Sequence, residues 1–244
     1  MQSSVDYGKA FTFPQEDPEW IKKVAIAGVV VFISAIGSFL LVVPIVGGFV
    51  LGGYMLEITR RVITGESPVL PEWSDWGGLI KKGLFVFVVQ LVYALPLIVL
   101  GVCAGLPYAG LALAGDNSDT VQTLGTIASV VSACVGCLIA IYAILMAIVL
   151  PAAIGRLAVT GEIAPALRFG EVFALVRAKL GVYIVVALLA GLAISVLSSI
   201  GSIACGIGAF FGIAYGLIAA GHLYGQAYRV ASAGSGAAPM APSM

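Results

Sequence analysis

Charge is what this chain has least of. Asp, Glu, Lys and Arg together make up 10% of its 244 residues, while 61% are hydrophobic; an ordinary soluble domain carries about 25% charged residues. Mean hydropathy is +1.11. A soluble fold of this length could not hide so much apolar surface, so lipid must be the solvent for most of the chain. Cysteine is also sparse. Cys103 and Cys205 fall near one membrane face, and Cys134 and Cys137 fall inside an apolar run. The "CVGC" pair lacks the accessible thiolates and further ligands of a redox or zinc site, so these cysteines read as buried, small apolar packing residues. No phosphate loop and no nucleophile–base arrangement occurs, and the polar loops hold only short, scattered charges. That argues against an enzyme and against any cofactor. The basic residues form no extended patch, which argues against nucleic-acid binding.

Long apolar runs are what the chain has instead. A spanning helix needs about 20 largely apolar residues. Six spans are predicted: Val24–Val43, Phe49–Ile63, Leu84–Gly105, Leu124–Ile154, Leu180–Ser198 and Cys205–Ala227. The fold class is therefore an all-α integral membrane protein, one six-helix transmembrane domain over residues 24–228. A tight reversal is expected at Pro44–Gly48 and a sizeable loop at "LPYAGLALAGDNSDTVQT". Pro96 and Pro151 are expected to kink their spans. Residues 1–23 form an acidic, Pro-containing leader that does not read as a signal peptide. Residues 229–244 form a tail whose stretch "ASAGSGAAPMAPSM" (231–244) is small, uncharged and of disordered composition.

The charges sort by side. With six spans, every Lys and Arg (Lys9, Lys22, Lys23, Arg60, Arg61, Lys81, Lys82, Arg156, Arg168, Arg177, Lys179 and Arg229) falls on the side of the two termini. The opposite side shows only Asp116 and Asp119. The positive-inside rule then places both termini in the cytoplasm.

That side also carries a recurring stretch: "DPEWIKK" (17–23), "LPEWSDWGGLIKK" (70–82) and "LRFGEVFALVRAK" (167–179). Each has acidic and aromatic residues, then a basic pair or near-pair, then a span. Thr64-Gly65-Glu66 and Thr160-Gly161-Glu162 stand at the same offset that aligns Trp73 with Phe169 and Lys81 with Arg177. The pattern predicts three helical hairpins, 24–63, 84–154 and 180–227, each preceded by a cytoplasmic interfacial amphipathic segment. A Gly would end each returning helix. The predicted anchors are Trp20, Lys22, Lys23, Trp73, Trp76, Lys81, Lys82, Phe169, Arg177 and Lys179. Their aromatic rings would face lipid and their cations would reach anionic headgroups.

Residues 52–96, "GGYMLEITRRVITGESPVLPEWSDWGGLIKKGLFVFVVQLVYALP", and the late "GHLYGQAYR" resemble domain-of-unknown-function family 4013 of prokaryotic membrane proteins. "FPQEDPEWIKK" and "RFGEVFALVRAKLGVY" also fit it. The resemblance runs from about Phe13 to Arg229. It implies a multi-pass protein of a bacterial or archaeal cytoplasmic membrane, and no established activity or ligand.

Intramembrane polar residues are the functional candidates, because burying their charge is costly. Glu57 lies one turn from Arg60 and Arg61, which can neutralise it; the other reading is ion coupling. His222, with Gln226 on the same face, reads as an interfacial hydrogen-bonding pair or a sensor near neutral pH. Gln90, with Tyr93 on the next turn, either bonds a neighbouring helix or lines a solute path. Gly208, Gly212 and Gly216 recur every four residues, with Gly221 and Gly225 on an adjacent stripe. With Gly48, Gly52, Gly101 and Gly105 they are candidates for close helix packing, within the chain or between copies. Two functions stay open: a non-enzymatic structural or organising subunit that packs with itself or other membrane proteins, and a transporter or channel for a small neutral or lipidic solute. In the second, Gln90, Tyr142 and His222 would face a common hydrated cavity.

Overall fold

The computed structural model of the protein describes residues 4–112, 118–203 and 206–234. The described residues are helical almost throughout. In chain order the helices are α1 (Lys9–Thr12), α2 (Trp20–Ile36), α3 (Val42–Thr64), α4 (Trp76–Ala112), α5 (Ser118–Thr160), α6 (Ile163–Ala166), α7 (Phe169–Ala178), α8 (Leu180–Ser202) and α9 (Gly208–Gly234). Short 3-10 turns at Phe13–Glu16 and Gly37–Phe39 flank α2. Among the described residues, six helices are long and apolar enough to cross a membrane: α2 with the 3-10 turn after it, α3, α4, α5, α8 and α9. This is a multi-pass helical membrane protein. In lipid every backbone N–H and C=O must be paired internally, and a helix does that within one segment.

Several boundaries differ from those the sequence suggests. The first reversal lies at Gly37–Leu41, ahead of the expected Pro44–Gly48. Pro44 sits in the first turn of α3, where its missing N–H is one that a helix leaves unpaired anyway. The stretch expected as a loop after Gly105 is helical on both flanks, to Ala112 and again from Ser118; its small apolar residues favour helix. Asp116 and Asn117 lie outside the described residues. Helix α9 continues through Arg229 to Gly234, so the tail is not irregular from 229 on; residues 235–244 lie outside the described residues. Cys205 does too.

Of the three punctuating stretches, two are not separate segments. Trp20–Lys23 is the first turn of α2, and Trp76–Lys82 begins α4. In the third, Phe169–Ala178 forms its own helix, α7, burying Val172, Leu175 and Val176.

The chain divides into two compact units. The first comprises Met1–Val89 and Ile148–Met244. Within it, α9 packs against α2, α3 and α8, and α2 against α3. Phe13, Val24, Tyr54, Ile58, Val62, Leu70, Leu79 and Ile218 form a continuous buried cluster, with Trp20, Val69, Trp73 and Tyr215 against it. Helices α3 and α5 end alike. Gly65 and Gly161 are left-handed, with φ of 75° and 68°, and their N–H groups bond back to Arg61 O and Leu157 O. Thr64 and Thr160 hydroxyls donate to the carbonyls of Arg60 and Arg156. A β-carbon strains this conformation, so glycine sets the stop.

The second unit is Gln90–Ala147, which holds the later part of α4 and the earlier part of α5. Tyr142 donates its hydroxyl to Tyr93 O at 2.9 Å. Tyr93 and Ala128 are buried there, whereas Ile98, Val102, Val130, Ile141 and Ile144 are exposed. Such a surface is at home only in lipid.

Candidate functional site

Among the described residues the buried polar and charged side chains are Asp17, Lys23, Glu57, Thr59, His222 and Gln226. All belong to the first unit, and they fall into three groups.

The first group explains why "PEW" occurs twice. Lys23 is 2% exposed. Its ammonium reaches Asp17 at 2.7 Å and Glu72 at 2.5 Å, so it joins a carboxylate of the first stretch to one of the second. Trp73 Nε1 donates to Lys23 O at 3.0 Å. The Trp73 ring stacks on Tyr54, centroids 4.1 Å apart and 5° from parallel. Tyr54 in turn donates its hydroxyl to Pro71 O at 3.2 Å. Asp17 also accepts from Glu19 N–H at 2.8 Å. Burial alone would raise the Asp17 carboxyl, but the Lys23 ammonium and the Glu19 N–H outweigh it and hold it below the ordinary carboxylate range.

The second group centres on Glu57, 6% exposed. Its carboxylate takes Arg60 at 2.7 Å, Arg61 at 3.2 Å and, from α4, Lys82 at 2.7 Å. Arg60 also holds Glu66 at 2.6 Å, and that guanidinium keeps the Glu66 carboxyl below the ordinary range. Close backbone contact lets Lys82 reach across. A β-carbon at Gly53 would run into Leu79 O, and one at Gly83 into Phe49 O. Arg156 in α5 stands where Arg60 stands in α3 relative to the Thr-Gly-Glu stop, and it pairs with Glu171 of α7.

The third group ties the N-terminal residues to α9. Gln226 accepts from Asp6 N–H at 2.6 Å and donates to Asp6 O at 2.9 Å. Its amide nitrogen also lies 2.9 Å from His222 Nδ1. The imidazole stacks on Phe13 with centroids 4.2 Å apart, and Tyr215 donates its hydroxyl to Phe11 O at 2.6 Å. Thr59 donates to Gly221 O at 3.0 Å, joining α3 to α9.

The expected anchors therefore divide. Lys23 and Lys82 are held in ion pairs, and Trp20 and Trp73 pack on the core cluster; Glu72, the second carboxylate on Lys23, and the Lys23 oxygen that takes the Trp73 N–H lie far away in sequence from the groups they hold. Trp76, Lys81, Phe169 and Arg177 are exposed, Lys179 is half-buried, and Lys22 is exposed beside Glu19. Glycines divide too. Gly208, Gly212 and Gly216 lie against Gly201, Leu197 and Ile194 of α8, while Gly221 and Gly225 lie against Met55 and Val62 of α3. Gly52 makes ordinary contact with Gly83 and Val86. Among the described residues, open space surrounds the position of a β-carbon at Gly48, Gly101 and Gly105, so these three make no close helix contact within the chain. Gly28, Gly47, Gly53, Gly83 and Gly155 do pack closely, and no regular spacing marks them in the sequence.

Gln90 is half-buried on α4. Tyr142 and His222 are each occupied locally, by Tyr93 O and by Phe13 with Gln226. Cys103, Cys134 and Cys137 are free and exposed, so they face outward instead of filling the core. Among described residues no group of three or more His, Cys, Asp or Glu is placed to hold a metal ion. Ser132 Oγ, Arg156 Nε and Tyr183 OH are buried without a hydrogen-bond partner.

The sequence model of a family described as a protein of unknown function, DUF4013, matches residues 36–207. No curated protein and no solved structure matches the chain.

Proposed function

The chain belongs to the DUF4013 family, and from that premise we propose that it is a non-enzymatic, structural or organising subunit of a prokaryotic cytoplasmic membrane. One observation carries this reading. The six buried polar and charged side chains described above are used to join the chain's own elements: Lys23 to Asp17 and Glu72, Glu57 to Lys82, Thr59 to Gly221, and Gln226 with His222 to the N-terminal residues. A solute pathway needs a row of polar groups left over to replace a solute's hydration; the buried atoms without a partner are single ones spread along the chain, Ser132 Oγ, Arg156 Nε and Tyr183 OH. An ion-coupled carrier needs a carboxylate that can exchange partners, and Glu57 already has three cations.

In this proposal the six spans form three hairpins, with both termini and all cations on the cytoplasmic side, as the positive-inside rule requires. Trp76, Lys81, Phe169 and Arg177 then lie at that surface beside anionic headgroups. Partners are lipid, further copies of the chain or other membrane proteins.

The test is reconstitution of the purified protein into proteoliposomes. Flux of small neutral solutes should match that of empty vesicles, while in-membrane crosslinking should trap discrete complexes. Flux above the empty-vesicle rate that is lost in Gln90→Leu would replace this reading with that of a channel or transporter.

A further inference from the structure

We propose that the N-terminal segment, residues 5–16, is a proton-releasable strap latched to α9 through His222. The inference goes beyond the structural role above and does not depend on it.

The latch rests on donor and acceptor bookkeeping. The backbone of Asp6 offers one N–H and one C=O, and Gln226 meets both: Oε1 accepts from the N–H and Nε2 donates to the C=O. This double contact fixes which way the Gln226 amide points. Nε2, a donor-only atom, is therefore the atom 2.9 Å from His222 Nδ1. Nδ1 must accept, so the imidazole is neutral with its proton on Nε2. A protonated imidazole has N–H groups at both nitrogens. Nδ1–H would then oppose the Gln226 N–H, and relieving the conflict by rotating the amide breaks both bonds to Asp6. His222 cannot take up a proton while the latch stays closed.

The charges around His222 are cationic on balance. Charged groups acting on His222 are Lys9 and Asp6 from the strap and Arg229 from α9 itself, two cations against one anion. The other face of this part of α9 meets Thr59 and Val62 of α3, neither of which titrates. His222 is 3% exposed, so water offers little compensation for an added charge.

The strap is long enough to matter. Ala10 and Phe13 are buried, Phe13 stacks on His222, and Tyr215 bonds to Phe11 O. Release would bare His222 and Tyr215 and free a segment with two phenylalanines beside the membrane surface.

Linkage gives the size of the effect. A site that is neutral when latched and ordinary when released loses latching about tenfold per pH unit below ~6.5. The experiment is hydrogen exchange of the amides of residues 5–16 in the full chain in lipid, expressed as protection relative to intrinsic rates, between about pH 7.5 and 5, above the ordinary carboxylate range. Protection in the parent should fall about tenfold per unit below ~6.5. His222→Asn places an acceptor oxygen near the Nδ1 position without a titrating ring, and its protection should be independent of pH. His222→Phe keeps the stack on Phe13 without a titrating group and serves equally should the Asn variant not fold. PH-independent protection in the parent, or the same slope in the parent and in a folded variant, would overturn the proposal.

Discussion

The indole N–H of Trp73 donates to the backbone oxygen of Lys23 across 50 residues of chain. The same indole lies flat on Tyr54, so one side chain fastens the start of α2 and the connector after α3 to the body of α3. Trp73→Phe keeps a ring for the stack and loses the bond, and should cost about 1 kcal/mol. Trp73→Ala loses both and should cost about 3–5 kcal/mol. Unfolding in mixed detergent and dodecyl sulfate measures the difference; equal costs for the two variants would mean that the stack contributes nothing.

The Asp17 carboxyl titrates below its ordinary value in the folded protein. A lowered carboxylate contributes stability above its unfolded value, about 4, and loses that contribution as pH falls through the folded value. Stability should therefore decline below about pH 4. Asp17→Asn should flatten part of that decline, as followed by thermal unfolding across acid pH. An unchanged acid profile in the variant would show that other groups set it.

Glu57 is the hub of three cations, and removing it strands them near one another. Glu57→Ala should destabilise the protein by about 3–5 kcal/mol, the cost of breaking a buried ion pair from one side. Adding Lys82→Met to the Glu57→Ala variant removes a stranded cation and should recover part of the loss. A double variant no more stable than the single one would refute coupling between these residues.

Glycine contacts divide the helices into tight and open places. Gly53→Ala and Gly83→Ala drive a methyl into backbone carbonyls of the facing helix, and each should cost about 1–3 kcal/mol. Gly101→Ala and Gly105→Ala meet open space and should be neutral or raise stability by up to ~1 kcal/mol, because Ala loses less backbone entropy in a helix.

Sidedness has a direct assay. In a variant without the native cysteines, Lys81→Cys and Asp119→Cys should react with a membrane-impermeant thiol reagent from opposite faces of intact cells. Labelling of both from one face would discard the three-hairpin arrangement. Charge reversal at the exposed Lys81 should weaken association with anionic lipid, whereas Lys23, buried in its own ion pairs, should contribute nothing to it.

The six spans were legible because lipid demands long apolar runs, and the two helix stops at Gly65 and Gly161 because Thr-Gly-Glu carries its capping chemistry locally. The partnership of Glu57 with Arg60 and Arg61 follows from helix periodicity alone. Lys82 as its third cation does not, since that contact depends on how α3 and α4 approach. Lys23 looked like a headgroup anchor because nothing within its own stretch reveals Glu72 or the Leu70 carbonyl beside it. The turn at Gly37–Leu41 was invisible for the opposite reason: its residues are as apolar as the helices that it joins.

That turn has a consequence for depth. Phe39, Leu40, Leu41 and Val42 point outward, while Leu40 N–H and Val43 N–H bond back to Gly37 O and Leu40 O. Ser38 apart, the side chains that the bend shows are hydrocarbon, which gives it little reason to surface. It can rest among acyl tails, where a water-soluble protease added from either face of the membrane would find no handle.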